Sequence, residues 1–174
     1  VTDRSVFGHC IHLSDSECRR LAEAGSVIAH CPTSNLFLGS GLFDMLQANR
    51  VGMQTVLATD VGAGTSFSLL RTMGEAYKVQ QLNGYPVSVF ESLYKCTLGA
   101  AKALHLDDEI GCFGKGRKAD FIVIDYAVTP SQQVRMDYLK HHEKWTLENK
   151  LFGLQTIGDD RNILATYIVG RRMK

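Results

Sequence analysis

The chain has 174 residues, of which 45% are hydrophobic and 21% are charged, close to the average composition of a globular domain. Its formal net charge of +1 provides no strong field to attract nucleic acid or an acidic membrane. The sequence has no run of about 18 apolar residues, so we predict no membrane-spanning segment. Its five cysteines are odd in number and lack CxxC spacing, which argues against a disulfide framework and favours a reducing cytoplasm.

The first part of the chain repeats one layout three times: an apolar run ending in a polar residue, a loop, and an amphipathic segment. The apolar runs predict strands at residues 5–9, 26–30 and 54–60, with residues 31–35 in a loop. The amphipathic segments predict helices at residues 18–24, 42–49 and 67–81, followed by one helix at 88–104. Two pairs have the pattern of a capping box, in which a serine and a glutamate satisfy free backbone N–H groups: Ser14 with Glu17, and Ser88 with Glu91.

Strands that alternate with helices predict a parallel sheet and an α/β fold. A closed (β/α)8 barrel uses roughly 250 residues, so three such units form either a small open sheet or part of a larger barrel. The pattern changes after residue 104, where a glycine-rich loop precedes a strand at 121–125, a polar helical stretch at 136–151 and a strand at 162–169. We therefore divide the chain into residues 1–107 and a more β-rich part at 108–174.

Polar side chains stand where the three predicted strands end: His9, His30 and Asp60. Each has a structural explanation on its own, since a histidine can be held in a core and Asp60 can cap the turn that follows it. Their shared position favours a functional site, because catalytic groups of parallel barrels lie at the carboxyl ends of the strands. Imidazole nitrogens and carboxylate oxygens are suitable ligands for zinc or iron.

The chain resembles the amidohydrolase superfamily in segments that correspond to barrel strands six, seven and eight: GHCIHLS at 8–14, AHCPTSN at 29–35 and ATDVGAG at 58–64. The segment IGCFGKGRKADF at 110–121 resembles that superfamily's return to a small β-sandwich domain. Two further segments resemble the guanine deaminase family more narrowly: NLFLGSGLF at 35–43 and GDDRNI at 158–163. The resemblance implies the last three βα units of a TIM-like barrel followed by part of a β-sandwich.

The same resemblance implies a chemistry. One metal ion, usually zinc and in some members iron, activates a hydroxide that converts guanine to xanthine and ammonia. Asp60 would be a metal ligand and would shuttle the proton of the water, and His9 would hydrogen-bond the reacting oxygen. Both would contact the purine substrate, while His30 and Asn35 would support the mouth of the site. A homodimer or another homo-oligomer is also expected.

The chain departs from the family pattern in what it lacks. The His-x-His pair of the first strand, the metal-binding His of the fifth strand and the neighbouring general-acid Glu have no counterpart, and we expect them upstream of Val1. The chain alone is therefore expected to bind metal poorly and to be inactive. The open edge at residues 6–9 is expected to be covered by those missing units or by another copy. The remaining alternatives are another amidohydrolase deaminase, a chlorohydrolase, or a non-catalytic scaffold of the same fold.

Overall fold

Three parallel strands form the first sheet of the computed structural model, which describes residues 1–173. These strands are β1 (Val6–Gly8), β2 (Val27–His30) and β3 (Gln54–Leu57), and they pair in chain order. Gly8 lies opposite Ala29, and Ala29 lies opposite Val56, so the carboxyl ends of all three strands meet at one edge. Parallel strands flanked by helices confirm the predicted α/β fold.

Helices connect these strands and cover one face of the sheet. They are α1 (Asp15–Glu23), α2 (Pro32–Phe37), α3 (Met45–Arg50), α4 (Leu69–Leu82), α5 (Val89–Cys96) and α6 (Leu98–Ala103). Ser14 begins α1 with the complete capping box, since its hydroxyl accepts from the backbone of Glu17 and the Glu17 carboxylate accepts from the backbone of Ser14. The buried core lies between the sheet and the helices, where Ile28 of β2 and Leu57 of β3 pack among apolar side chains of the helical layer.

An antiparallel sheet follows in the second part of the chain. Its strands are β4 (Phe121–Ile124), β5 (Ile163–Ile168) and β6 (Arg171–Arg172), with β5 in the centre. A helical hairpin of α7 (Pro130–His141) and α8 (Leu147–Ile157) joins β4 to a short 3-10 turn, Asp160–Asn162, which leads into β5. Asn162 is fully buried and its amide donates to the carbonyl of Asp125, so the turn is tied to the end of β4.

The boundaries correct several expectations from the sequence. The segment read as a loop at 31–35 lies largely in α2, because Pro32 occupies the first helical turn, where its missing N–H is not needed. The helix expected at 88–104 is broken at Thr97, and the polar stretch at 136–151 is two helices rather than one. The second expected capping box is half formed: the Ser88 hydroxyl caps Glu91, whereas the Glu91 carboxylate accepts from the hydroxyl of Tyr85.

The helical hairpin is joined to the first part of the chain by a close helix–helix contact. Helix α8 packs against α4 and α5. A Cβ placed on Gly74 of α4 would lie 2.5 Å from the backbone oxygen of Gln155 in α8, so this crossing has no room for a side chain. Within residues 1–173, no helix is long and apolar enough to cross a membrane.

We expect Gly74→Ala to destabilise the protein by about 1–3 kcal/mol, because the added methyl would force α4 and α8 apart. Gly153→Ala is the matched control. The Cβ at Gly153 would meet only the flexible side chain of Arg135, at 3.0 Å, and alanine favours the helix. Urea unfolding followed by circular dichroism compares the two variants. Equal stability of both variants would contradict the close contact.

Candidate functional site

The ends of β1 and β3 bring a histidine and a carboxylate together. His9 Nε2 lies 3.7 Å from Asp60 Oδ2, and their side chains are 44% and 39% exposed. Two of the three predicted strand-end residues therefore share one solvent-accessible edge of the sheet, with the ring and the carboxylate facing each other across a gap wider than a hydrogen bond. An imidazole and a carboxylate that face each other at this distance can bind and orient a third polar group between them.

The backbone at both residues is in the left-handed region. The φ angles are 66° at His9 and 47° at Asp60. Non-glycine residues rarely adopt such angles. Where they do, the surrounding fold enforces the conformation, and such positions are concentrated at functional sites. The turn after Asp60 is also tight, since a Cβ on Gly64 would lie 1.8 Å from the backbone oxygen of Thr59. The fold therefore imposes the direction in which each side chain leaves the sheet edge.

A side chain of α2 holds the ring of His9 from the other side. His9 Nδ1 and Asn35 Oδ1 are 2.8 Å apart. Asn35 is only 2% exposed, and its backbone N–H donates to the carbonyl of Cys31. The resemblance to the amidohydrolases implied that Asn35 lies near the mouth of a site. The direct contact with His9 links residues 26 positions apart and depends on α2, which the sequence did not predict.

The structure places His30 apart from the exposed pair. It is fully buried, and its ring packs 4.9 Å from the ring of Phe43 in the helical layer. Alternation along β2 puts His30 on the same face as Ile28, which is the face that packs against the helices. Neither ring nitrogen has a hydrogen-bond partner in the described part of the chain.

Burial makes His30 a neutral residue. Desolvation and, to a smaller extent, the nearby charge of Lys95 together lower the pKa of His30 from its ordinary value of 6.5 to about 3. Lys95 itself is buried against β3, where its ammonium donates to the hydroxyl of Thr55 at 2.6 Å. No local pattern singles out this lysine, because it lies at an ordinary helical position in α5.

A groove beside His9 opens between the loops that follow β1 and α2. Its volume is about 540 Å³, and its walls include His9, Ile11, His12 and Leu38. A ring nitrogen of His12 lies 3.1 Å from the backbone oxygen of Ser40, which joins the two loops. His9 is therefore reached from solvent along a wall that is partly apolar.

The residues of this edge fit one side of a metal site. The Asp60 carboxylate is accessible and supplies the oxygen donor that zinc or iron accepts, with an imidazole beside it. Among residues 1–173, no three His, Cys, Asp or Glu side chains come close enough together to hold a metal ion. A complete site would need further ligands besides those of this edge.

Comparisons with known proteins identify the class. Residues 2–173 match the amidohydrolase family, and the chain belongs to that family. The guanine deaminase of Escherichia coli (strain K12) is 51% identical over 166 residues, which cover 95% of this chain and 37% of that protein.

Solved structures agree in fold. The structure of E. coli guanine deaminase matches with a TM-score of 0.94 and 48% identity, covering 100% of this chain and 40% of that one. Guanine deaminase from C. acetobutylicum, solved with guanine bound in the active site, matches with a TM-score of 0.77 and 28% identity over 96% of this chain and 38% of that one. The chain thus spans well under half the length of these relatives.

The buried histidine predicts a dependence of stability on pH. Because the pKa of His30 is lower in the folded state than in the unfolded state, its contribution to stability is complete above about pH 6.5 and is lost as the pH falls towards about 3. When the pH is lowered from 7 to 5, the free energy of unfolding of the unmodified protein should therefore fall by about 2 kcal/mol more than that of His30→Gln.

Urea unfolding at the two pH values measures this change. Ser34→Ala is the matched control, since it alters a fully buried polar neighbour that does not titrate. The stability of Ser34→Ala should run parallel to that of the unmodified protein. If the free energy of unfolding of His30→Gln also changed with pH as much as that of the unmodified protein, His30 would not be a buried neutral group.

Proposed function

We propose that the complete protein is a guanine deaminase, which hydrolyses guanine to xanthine and ammonia. The observation that carries this proposal is the His9–Asp60 pair at one edge of the parallel sheet, in a chain that is 51% identical to E. coli guanine deaminase. The fold match to a guanine deaminase with guanine in its active site supports the same substrate. Water supplies the oxygen of the product, and the exocyclic amino group leaves as ammonia.

We further propose that residues 1–107 are the last three βα units of a (β/α)8 barrel, and that residues 108–174 are the return segment with β-sandwich strands and a helical insertion. The parallel order β1–β2–β3 and the antiparallel order β4–β5–β6 support this division. In a barrel, His9 and Asp60 would lie at the mouth where active sites are found. The open edge of β1 would then be covered by the preceding unit.

Asp60 would bind the metal and transfer a proton, and His9 would hydrogen-bond the reacting oxygen. Asp60 would hold a zinc or iron ion through its carboxylate, and such an ion makes a bound water acidic enough to react near neutral pH. The second oxygen of Asp60 would accept the proton of the attacking water and pass it towards the leaving amino group. His9 Nε2 would hydrogen-bond the oxygen that is delivered to C2 of guanine, so both residues contact the substrate.

His30 and Asn35 would act through other residues. Asn35 touches the ring of His9, whereas the ring of His30 packs against Phe43 in the helical layer and would support β2 from that side. All five cysteines are free thiols, which supports a reducing compartment such as the cytoplasm. A homodimer or another homo-oligomer is part of the same proposal and rests on the family.

Steady-state kinetics of the full-length, metal-loaded enzyme test the assignment. We expect Asp60→Asn to lower kcat for guanine by at least about 100-fold and to reduce the bound metal, because it removes both a ligand and a proton acceptor. We expect His9→Gln to lower kcat by a similar factor while the metal content stays unchanged. Asp137→Asn, at an exposed carboxylate in α7, is the control and should behave as the unmodified enzyme.

Two results would count against the proposal. An Asp60→Asn enzyme with full metal content and full activity would remove Asp60 from the site. An unmodified enzyme that releases ammonia from another aminopurine, from cytosine or from a triazine, and not from guanine, would show that the substrate is assigned wrongly.

A further inference from the structure

The contact between His9 and Asn35 determines more than the position of the ring. Asn35 Oδ1 is the atom that faces His9 Nδ1, at 2.8 Å. A carbonyl oxygen can only accept a hydrogen bond, so Nδ1 must carry the proton and donate it. In the neutral ring this leaves Nε2 without a proton, and Nε2 is the nitrogen that faces Asp60.

We propose that Asn35 is a positioning residue for the deamination reaction: its amide oxygen fixes His9 in the tautomer protonated on Nδ1 and presents the lone pair of Nε2 to the reacting groups. This inference rests on the proposed function of His9. It assigns Asn35 an effect on Nε2 of His9, the atom that would meet the substrate. A residue that only supported the mouth of the site would not determine which ring nitrogen carries the proton.

The surroundings of Asn35 make it suited to this role. Its backbone N–H donates to the Cys31 carbonyl at 3.0 Å, and its own carbonyl accepts from the Ser40 N–H at 2.9 Å. With 2% exposure, its side chain is shielded from water that could replace the bond to His9. The main chain of Asn35 is thereby fixed beside the ring of His9, whose neutral form could otherwise adopt either tautomer.

The backbone of His9 completes the arrangement. Its N–H donates to the Ala29 carbonyl at 3.0 Å, which ties it to β2, and its left-handed φ of 66° interrupts the alternation of β1. The next residue, Cys10, is also left-handed, with φ 52°. Main-chain bonds therefore fix the Cα of His9, and the remaining freedom is rotation of the ring, which the hydrogen bond to Asn35 removes.

The bond also allows the ring to act at Nε2. Because the Asn35 oxygen accepts from Nδ1 whether or not Nε2 carries a proton, Nε2 can accept or donate a hydrogen bond without loss of the contact. The opposite amide orientation, with the NH2 group facing His9, would bind only the neutral ring protonated on Nε2. The orientation in the structure, with Oδ1 facing His9, is the one that lets Nε2 either accept or donate a hydrogen bond.

Kinetics of the full-length, metal-loaded enzyme with guanine form the first test. Asn35→Leu keeps the size of the side chain and removes the acceptor, so we expect kcat to fall roughly 10–100-fold with KM nearly unchanged. Asn35→Asp, made in the unmodified enzyme, keeps an acceptor oxygen, so its kcat should stay within about tenfold of the unmodified value. Ser34→Ala, at a neighbouring buried side chain, should leave both constants unchanged.

Nitrogen-15 NMR of histidine-labelled enzyme is the second test and does not depend on activity. The His9 signals, identified by their loss in His9→Gln, should show protonated Nδ1 and unprotonated Nε2 in the neutral ring, and a mixture of tautomers in Asn35→Leu. A neutral ring protonated on Nε2, or unchanged kcat in folded Asn35→Leu, would overturn the proposal. If guanine is not deaminated but the NMR pattern holds, the substrate is wrong and the positioning role stands.

Discussion

The parallel pairing of β1, β2 and β3 is the constraint on which the candidate site depends. Because Gly8, Ala29 and Val56 lie side by side in the ladder, the residues that follow them emerge at one edge of the sheet. His9 and Asp60 are 51 positions apart in sequence, and this register brings their side chains within 3.7 Å. A shift of the register by one residue would reverse the face of every side chain on a strand and would separate the pair. The burial of Ile28 and Leu57 against the helices holds the register in place.

The edge itself departs from regular strand geometry where the chemistry would occur. Regular alternation would give His9 the same face as His30, which is buried against Phe43. The left-handed backbone at His9 redirects its side chain towards Asp60, and Asn35 then fixes the ring. Strain of this kind costs about 1–3 kcal/mol per residue, and the surrounding main-chain bonds maintain it. One local deviation therefore separates a histidine of the exposed edge from a histidine of the core, although His9 follows β1 directly and His30 ends β2.

Much of this could be predicted from the sequence, for physical reasons. Alternation of strands with helices predicted the parallel order, and apolar runs that end in polar residues predicted the three strands. The same feature hid the direction of His30, because a continuous apolar run does not reveal which face a residue occupies. Helix α2 was missed because Pro32 reads as a break, although the first turn tolerates it. The division of 88–104 at Thr97 and the bond between His9 and Asn35 depend on tertiary contacts that no local pattern encodes.

We propose that this chain contributes Asp60, with His9 beside it, to an active centre that the rest of the protein completes. Diffraction from crystals of the full-length, metal-loaded enzyme, with data at the absorption edge of the bound metal, tests it most directly. We expect a metal peak about 2.0–2.2 Å from a carboxylate oxygen of Asp60. We also expect His9 beside this peak, with its Nδ1 still hydrogen-bonded to Asn35. A metal peak whose ligands exclude Asp60, or an Asp60 side chain directed away from the metal, would contradict this assignment of Asp60.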